Sequence, residues 1–521
     1  MDLKIIDSLF NKLNTNVLTY DKNISKIYKI HKYWSRKPWY IVSKYIEKYS
    51  KPGDIVLDPF CGSGVTGLES ICLNRNFIGG DLNPMSVLIT KETLNTSTDL
   101  TSLYKDQEKL IANCKASILS LYQLSQKCRC CGKNLAIKYI KSGPKFQKPV
   151  AVSYCPNCLS KKSEREITEF CVDDSEESSF WSPKVDFPKK FYKDRFSYKG
   201  IKSIKDMYSN RNWHALSVLY DCINKFISSE NIDIFKLAFT NTLLHVSKLK
   251  GINIRPLGVN NYWIPDDYIS ENVWFRFEER LNNIIQSKVE LLKRIKNHQL
   301  GNYSIFTRSA TEPLEPEYFD YVFTDPPYGD AIQYSELSYI WNSWMEQSFC
   351  TEKEIIVNPA QNKTNKEFFD LLDASLSNIY NALKTGGRFT LCFQNKDFSV
   401  WEHVINTCKK LHFALDDIDF FDVYGTPFNK NWSKFSPTAD IYVTFLKTDE
   451  PDIKTVESED SLEKLVVSIL SYFKDKKEPY DLVKIYDIVV GYLIWILYYG
   501  NGKKDYKFSI KNILNVINAN L

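Results

Sequence analysis

Residues 55–64 read IVLDPFCGSG. Ile55 to Phe60 (IVLDPF) is a short apolar run of the kind buried in an α/β sheet. Cys61-Gly62-Ser63-Gly64 interrupts it, and Val65 to Leu73 then has helical spacing. Phe77 to Leu82 (FIGGDL) supplies a second short strand ending in an acid, and Asn83-Pro84 opens another helix with proline near its first turn. The segment is a β-α-β unit with a glycine turn after its first strand. Glycine at such a turn lets backbone approach a ligand, because no Cβ intervenes. Asp81 is spaced to accept hydrogen bonds from both hydroxyls of a ribose. A lone Gly-x-Gly is compatible with a purely structural turn; the matching acid turns the reading towards a nucleoside-like cofactor. No phosphate-cradling P-loop is present. Gly67 follows Gly64 at three residues, which keeps a nicotinamide enzyme as an alternative. Asp58 argues against it, since a carboxylate there repels a pyrophosphate and welcomes the ammonium of a methionine moiety.

A chain of 521 residues exceeds one ordinary core, so two or three domains are expected. An apolar fraction of 43% with 25% charged residues is that of a soluble globular protein. The net charge of +5 permits a polyanionic partner without demanding one. The longest apolar stretch, Ile488 to Tyr499, is far short of the roughly 20 residues a membrane span needs, so no membrane association is expected. Thirteen cysteines without a visible export signal suit a reducing cytoplasm.

The α/β rhythm stops after residue 95 and resumes near 303. Ser304 to Phe306, Tyr321 to Thr324, Arg388 to Phe393 and Ala439 to Leu446 read as strands. Glu367 to Leu383 reads as a helix ending at Gly386-Gly387, a C-cap signal. The expectation is therefore one doubly wound α/β domain split over 25–95 and 300–447. Residues 96–299 form an insertion, and a helical C-terminal extension covers 450–521.

The second turn is Asp325-Pro326-Pro327-Tyr328, directly after Tyr321 to Thr324. Two prolines lock the backbone and remove its donors. What remains is a carboxylate, rigid carbonyl acceptors and an aromatic face, which suits a planar group bearing an NH₂. Asp325 and the Pro326 carbonyl take the amino hydrogens while the Tyr328 ring stacks, so positioning and desolvation carry the rate gain. A base within a duplex must be flipped out to reach such a pocket.

The pair DPFCGSG and DPPY resembles the amino-methyltransferases of DNA. His31 to Trp39 (HKYWSRKPW) resembles the segment that precedes the glycine turn in that group, and the nearest subgroup is the adenine-specific DNA methylases that contain a zinc ribbon. The resemblance covers about 25–95 and 300–447, is looser over the insertion and is absent from the tail. It implies a class I, Rossmann-like methyltransferase domain using S-adenosylmethionine. Phe60, Gly62 and Gly64 would then lie along the cofactor, with Asp58 near its methionine end and Asp81 on the ribose. Lys37 and Pro38 would flank the methionine moiety, and Ser309 and Ala310 would sit near the cofactor adenine. Asp325, Pro326, Pro327 and Tyr328 would form the catalytic turn for the target base. Asp at the first tetrad position is more typical of adenine N6 methylation, Ser of cytosine N4. The alternatives are cytosine N4 in DNA, an RNA base, or an inactive nucleic-acid-binding protein of the same fold. Modification of host DNA beside a nuclease, or within a defence system, fits the reading.

Cys128-x-x-Cys131 and Cys155-x-x-Cys158 are separated by 23 residues. Four thiolates in two knuckles can hold structural zinc in a ribbon over 126–165. A redox pair or chance spacing are the alternatives. From Lys184 to Arg211, nine Lys and Arg are interleaved with six aromatics against three acids. Lys189, Lys190, Lys193, Arg195 and Lys199 are candidates for phosphate contact, and the aromatics could fill the gap left by a flipped base or pack inside a solvated loop. Lys250 to Pro256, with Trp263 and Trp274, is a further polar-aromatic stretch that could line a DNA cleft.

Overall fold

Among the described residues, twelve strands, taken in chain order, divide into two sheets. They are β1 (Ile55–Asp58), β2 (Asn76–Asp81), β3 (Gln123–Lys127), β4 (Asn134–Ser142), β5 (Val150–Tyr154), β6 (Glu166–Ile167), β7 (Tyr268–Glu271), β8 (Tyr303–Thr307), β9 (Phe319–Thr324), β10 (Leu383–Phe393), β11 (Phe413–Asp422) and β12 (Ala439–Lys447). The structure is a computed structural model describing residues 2–15, 20–159, 164–171, 178–189, 191, 199–256, 262–393, 395, 397–422, 439–449, 461–476, 482–500 and 510–520.

The larger sheet has the order β8-β2-β1-β9-β10-β12-β11. Its first five strands are parallel, and β12 runs antiparallel to both β10 and β11. Helices cover both faces. Val56 points into one core with Tyr45, Ile46, Leu68 and Ile71, from helices Trp39–Tyr49 and Val65–Cys72. Its neighbour Leu57 points into the other, with Leu376, Ile379 and Ile405 from helices Asn365–Ala382 and Phe398–Lys410. Successive strand residues face opposite sides, so an uninterrupted apolar run is what a sheet covered on both faces requires. Strand order reverses between β1 and β9, and ligands of open α/β sheets bind at the carboxyl ends of strands flanking such a point.

Helices Leu462–Lys476 and Leu482–Tyr499 do not stand apart from this domain; they share its second core, together with the N-terminal helix Leu3–Thr15. Helix Leu482–Tyr499 is apolar on nearly every side and is correspondingly buried. A Cβ on Gly491 would come within 2.4 Å of the Phe420 ring, so glycine permits close approach to β11. No described helix is long and apolar enough to cross a membrane.

Three readings of the sequence change here. The helix expected over Glu367–Leu383 ends at Ala382, and Gly386-Gly387 is no C-cap: it lies inside β10, at a register irregularity between Leu383 and Arg388. A Cβ on Gly387 would meet the Asp320 carbonyl of β9 at 2.9 Å. Strand β11, absent from the sequence reading, pairs with β12 over its whole length. Aromatics of the basic stretch are core residues: Phe187 and Phe191 pack on Tyr262 and Tyr339, and Tyr208 packs on Trp213.

The insertion between β2 and β8 carries the second sheet, in which β4 pairs β5, and both β3 and β7, and β5 pairs β6. Helices Asn210–Phe226, Ile232–Leu243 and Val273–Ile295 surround it. Buried ion pairs tie it to the larger sheet. Arg294 donates two hydrogen bonds, of 2.7 and 2.6 Å, to the fully buried Glu69 on the helix after the glycine turn. Lys288 reaches Glu92 at 2.9 Å.

Candidate active site

The glycine turn takes its shape from residues that L side chains fit poorly. Gly62 has φ +53° and Gly64, at the N-cap of helix Val65–Cys72, has φ +82°. A Cβ on Gly62 would lie 2.9 Å from the Tyr33 ring. Asp81, at the end of β2, accepts from the Gly62 N–H at 3.0 Å and the Asn83 N–H at 2.8 Å. Burial pushes its carboxyl up to about 7. Asp58, at the end of β1, accepts from the Phe60 N–H at 3.0 Å and the Thr66 hydroxyl at 2.7 Å. It also accepts from Thr324, the last residue of β9, at 2.7 Å. Burial raises Asp58 to about 6. The Asp58–Thr324 hydrogen bond joins the two turns across the switch point.

Both turns open onto one cleft. Asp58, Phe60, Gly62 and Asp81 line it from the first turn, and Asp325 and Pro327 from the second. Lys37, Ser309 and Ala310 line it as well. Gly64 stands behind, where a Cβ would meet the Thr90 backbone at 3.1 Å. Pro38 instead starts helix Trp39–Tyr49.

Lys37 reaches into the second turn. Its Nζ donates to the Tyr328 hydroxyl at 2.7 Å and lies 3.4 Å from Asp325 Oδ2 and 3.2 Å from Asp440 Oδ2. The Tyr328 hydroxyl donates to Asp325 Oδ1. The Tyr328 ring packs edge-on against Phe393, and its carbonyl accepts from the Asn395 amide at 3.2 Å. Burial pushes Asp325 up to about 7, against the pull of Lys37 and the Tyr328 hydroxyl. The result is a carboxylate with raised proton affinity at the floor of a half-apolar cavity.

Several residues here escaped the sequence reading. Tyr33 stacks with Tyr334 beside the cavity, at 6.0 Å between ring centres, and its hydroxyl accepts from Ser86 at 2.9 Å. Arg36 ties its segment to the glycine turn, donating to Ser63 Oγ at 3.0 Å and the His31 carbonyl at 2.7 Å. Asp440 comes from β12. His31 is buried and bonded to Thr240, and burial takes its pKa down to about 3, so it stays neutral. The run HKYWSRKPW carried a signal for Tyr33 and Arg36; nothing local marked Asp440 or Tyr334.

Among the described residues, two buried donors at this cavity lack partners: the indole N–H of Trp34 and the side-chain amide of Asn83, which follows Asp81 by two residues. Orphan donors beside a cavity are what a ligand rich in acceptors would satisfy. The donor set and the pair of acids fit the hydroxyls, amino group and ring acceptors of S-adenosylmethionine.

The cysteine pairs converge on one point. The sulfurs of Cys128, Cys131, Cys155 and Cys158 all lie within 4.8 Å of one another, with 3.6 Å between Cys128 and Cys158 and 3.5 Å between Cys131 and Cys155. A tetrahedron with zinc–sulfur arms of about 2.3 Å has edges of roughly 3.8 Å, so the set fits zinc. Each knuckle closes through a left-handed residue: Gly132 (φ +68°), whose N–H bonds the Cys128 carbonyl, and Leu159 (φ +51°), whose N–H bonds that of Cys155. Backbone N–H groups of Cys130 and Cys131 hold the Cys128 thiol down to about 6.

Of the basic candidates, Lys189 is exposed and Lys199 pairs with Asp266, while Lys190, Lys193 and Arg195 lie outside the described residues. Trp274 is buried beside Phe277, so it packs the insertion and lines no cleft.

Residues 4–92, which hold the first turn, match a family model described as DNA methylase, of the N6/N4 methyltransferase type. Over that segment the chain is similar to the DNA amino-methyltransferases. Type II methyltransferase M.MvaI of Kocuria varians is 26% identical over 192 residues, which is 30% of this chain and 40% of that protein. DNA adenine methyltransferase YhdJ of Escherichia coli is 47% identical over 49 residues, 9% of this chain and 17% of its own. The chain thus spans 40% or less of these family relatives. A solved phosphoethanolamine N-methyltransferase 2 from Haemonchus contortus aligns over 82% of this chain and all of its own, at 12% identity. Its TM-score of 0.16 is too low to bear on the fold.

Proposed function

We propose that this chain methylates the exocyclic N6 of adenine in DNA, on a base flipped out of the duplex. The observation that carries the reading is the shared cavity, into which Asp81 and the glycine turn project from one side and Asp325 and Pro327 from the other. Asp81, Gly62, Phe60, Ser309 and Ala310 would hold S-adenosylmethionine, with Trp34 and Asn83 supplying free donors. When bound, that cofactor supplies an electrophilic methyl group on a sulfonium.

The chain's own residues do the rest. Asp325 and the Pro326 carbonyl accept the amino hydrogens and orient the nitrogen lone pair. Tyr328 must release Asp325 as the base enters, which turns its ring into a stacking face. The apolar walls exclude water, so the carboxylate's hydrogen bonds act at low dielectric. Asp rather than Ser at the head of the tetrad favours adenine. The four cysteines would hold structural zinc, whose binding supplies folding free energy that so small a sheet lacks. The ribbon and the basic stretch beside it would meet the DNA backbone.

Incubation with methyl-labelled S-adenosylmethionine and either unmethylated DNA or RNA, followed by nucleoside analysis, tests this. Label in N6-methyladenosine from DNA is expected. Label in methylcytidine or only in RNA would reassign the substrate, and no label in any nucleoside would sink the reading.

A further inference from the structure

One carboxylate at the site has no part in the scheme above. Asp440 is the second residue of β12. Because β12 runs antiparallel to β10, with Ile441 opposite Phe393, its first residues lie at the carboxyl ends of the parallel strands. Asp440 therefore shares a sheet edge with Asp325, across β10. Lys37 bridges them, 3.2 Å from Asp440 and 3.4 Å from Asp325, with only 9% of its side chain exposed. One ammonium serves two carboxylates.

We infer that Asp440 is a positioning residue for the proposed transfer: by sharing the Lys37 ammonium it keeps Asp325 from being neutralised by a full ion pair, and so leaves that carboxylate able to accept the amino hydrogens of the base. This rests on the methyl-transfer reading. A carboxylate in a tight ion pair gives up acceptor strength on the oxygen that the ammonium faces, whereas one facing a shared cation at 3.4 Å keeps more of it. The second negative charge also raises the proton affinity of Asp325, and Lys37 lowers it. The other titratable groups around them are Tyr328 in the same turn, Tyr334 on the next helix, Cys392 on β10 and Tyr442 on β12. All four are pushed up by burial and stay neutral near pH 7. Lys37 and Asp440 thus set the charge balance.

The test is the pH profile of methyl transfer to unmethylated plasmid DNA by the full chain and three variants. Activity requires ionised Asp325, so its acid limb reports that group. Asp440→Asn should move the limb down by about half a unit to one unit, and Lys37→Met should move it up. Asp440→Glu should return it to the wild-type position. Cofactor affinity of both Asp440 variants, by calorimetry, should stay within about twofold of wild type. A limb unmoved in Asp440→Asn, or moved the same way as in Lys37→Met, overturns the inference; so does loss of transfer in step with loss of cofactor affinity. Should Asp440→Asn be too slow to profile, the Glu variant decides: a wild-type limb supports charge sharing, and inactivity overturns it. A wild-type chain inert at every pH sinks the methyl-transfer reading and this inference with it; an active chain with an unmoved limb sinks the inference alone.

Discussion

The carboxyl edge of the seven-stranded sheet and the cysteine cluster of the insertion solve the same problem differently. Each must hold a few polar atoms in a fixed arrangement. At the sheet edge, acids at the ends of β1, β2 and β9 are fixed by backbone N–H groups, threonine hydroxyls and one lysine, over cores that the strands themselves build. In the insertion, four thiols come together on turns of a small sheet, where the sulfurs are the fixed points. The first arrangement draws its rigidity from packing. The second is expected to depend on its metal.

The widest separation should come from Asp325→Ala. Transfer should fall by about a thousandfold or more while cofactor affinity changes less than about threefold, since the cofactor side of the cavity keeps its own hydrogen bonds. Parallel measurement of label transfer and cofactor binding checks this, and equal losses would mean that the two turns are not separable. Next comes the joint between the regions. Arg294→Met leaves Glu69 buried without its cation, and denaturant unfolding should show a loss of about 3–5 kcal/mol. A loss below about 1 kcal/mol would show that the Arg294–Glu69 pair contributes little to holding the insertion in place.

A third prediction concerns protons. Burial pushes Asp325 up to about 7, and the proposed transfer needs it as the carboxylate, so protonation would remove the acceptor. Transfer should fall about tenfold per unit below that pH and level off above it. A profile flat down to pH 5 would show that the acid is far less buried than its surroundings imply. The smallest effect tests the insertion. Chelation should weaken DNA binding by about tenfold and leave cofactor affinity nearly unchanged, with mass spectrometry or a zinc dye following metal release. Equal losses of both affinities would erase the contrast between the two regions.

Each turn could be read from a few adjacent residues. Asp58 to Gly64 and Asp325 to Tyr328 announce themselves because strand end, carboxylate and glycine or proline are contiguous, and the cysteine knuckles likewise. Other assignments failed for lack of local information. Gly386-Gly387 looks like any helix stop, yet it serves a bend of β10 against Asp320. The aromatics among the lysines look like stacking surfaces, yet partners from residues 262 and 339 bury them.

From the chain alone one obtains the α/β class, the interruption near residue 96, the two turns and the two cysteine pairs, since these follow from short-range spacing and backbone stereochemistry. The folded sheet alone brings Asp440 to Lys37, makes Asp58 and Thr324 partners across 266 residues, and merges the C-terminal helices with one core of the larger sheet. The reason is that strand order and the antiparallel sense of β12 are global properties. They arise from how apolar faces are shared among distant segments, and no window of sequence contains them.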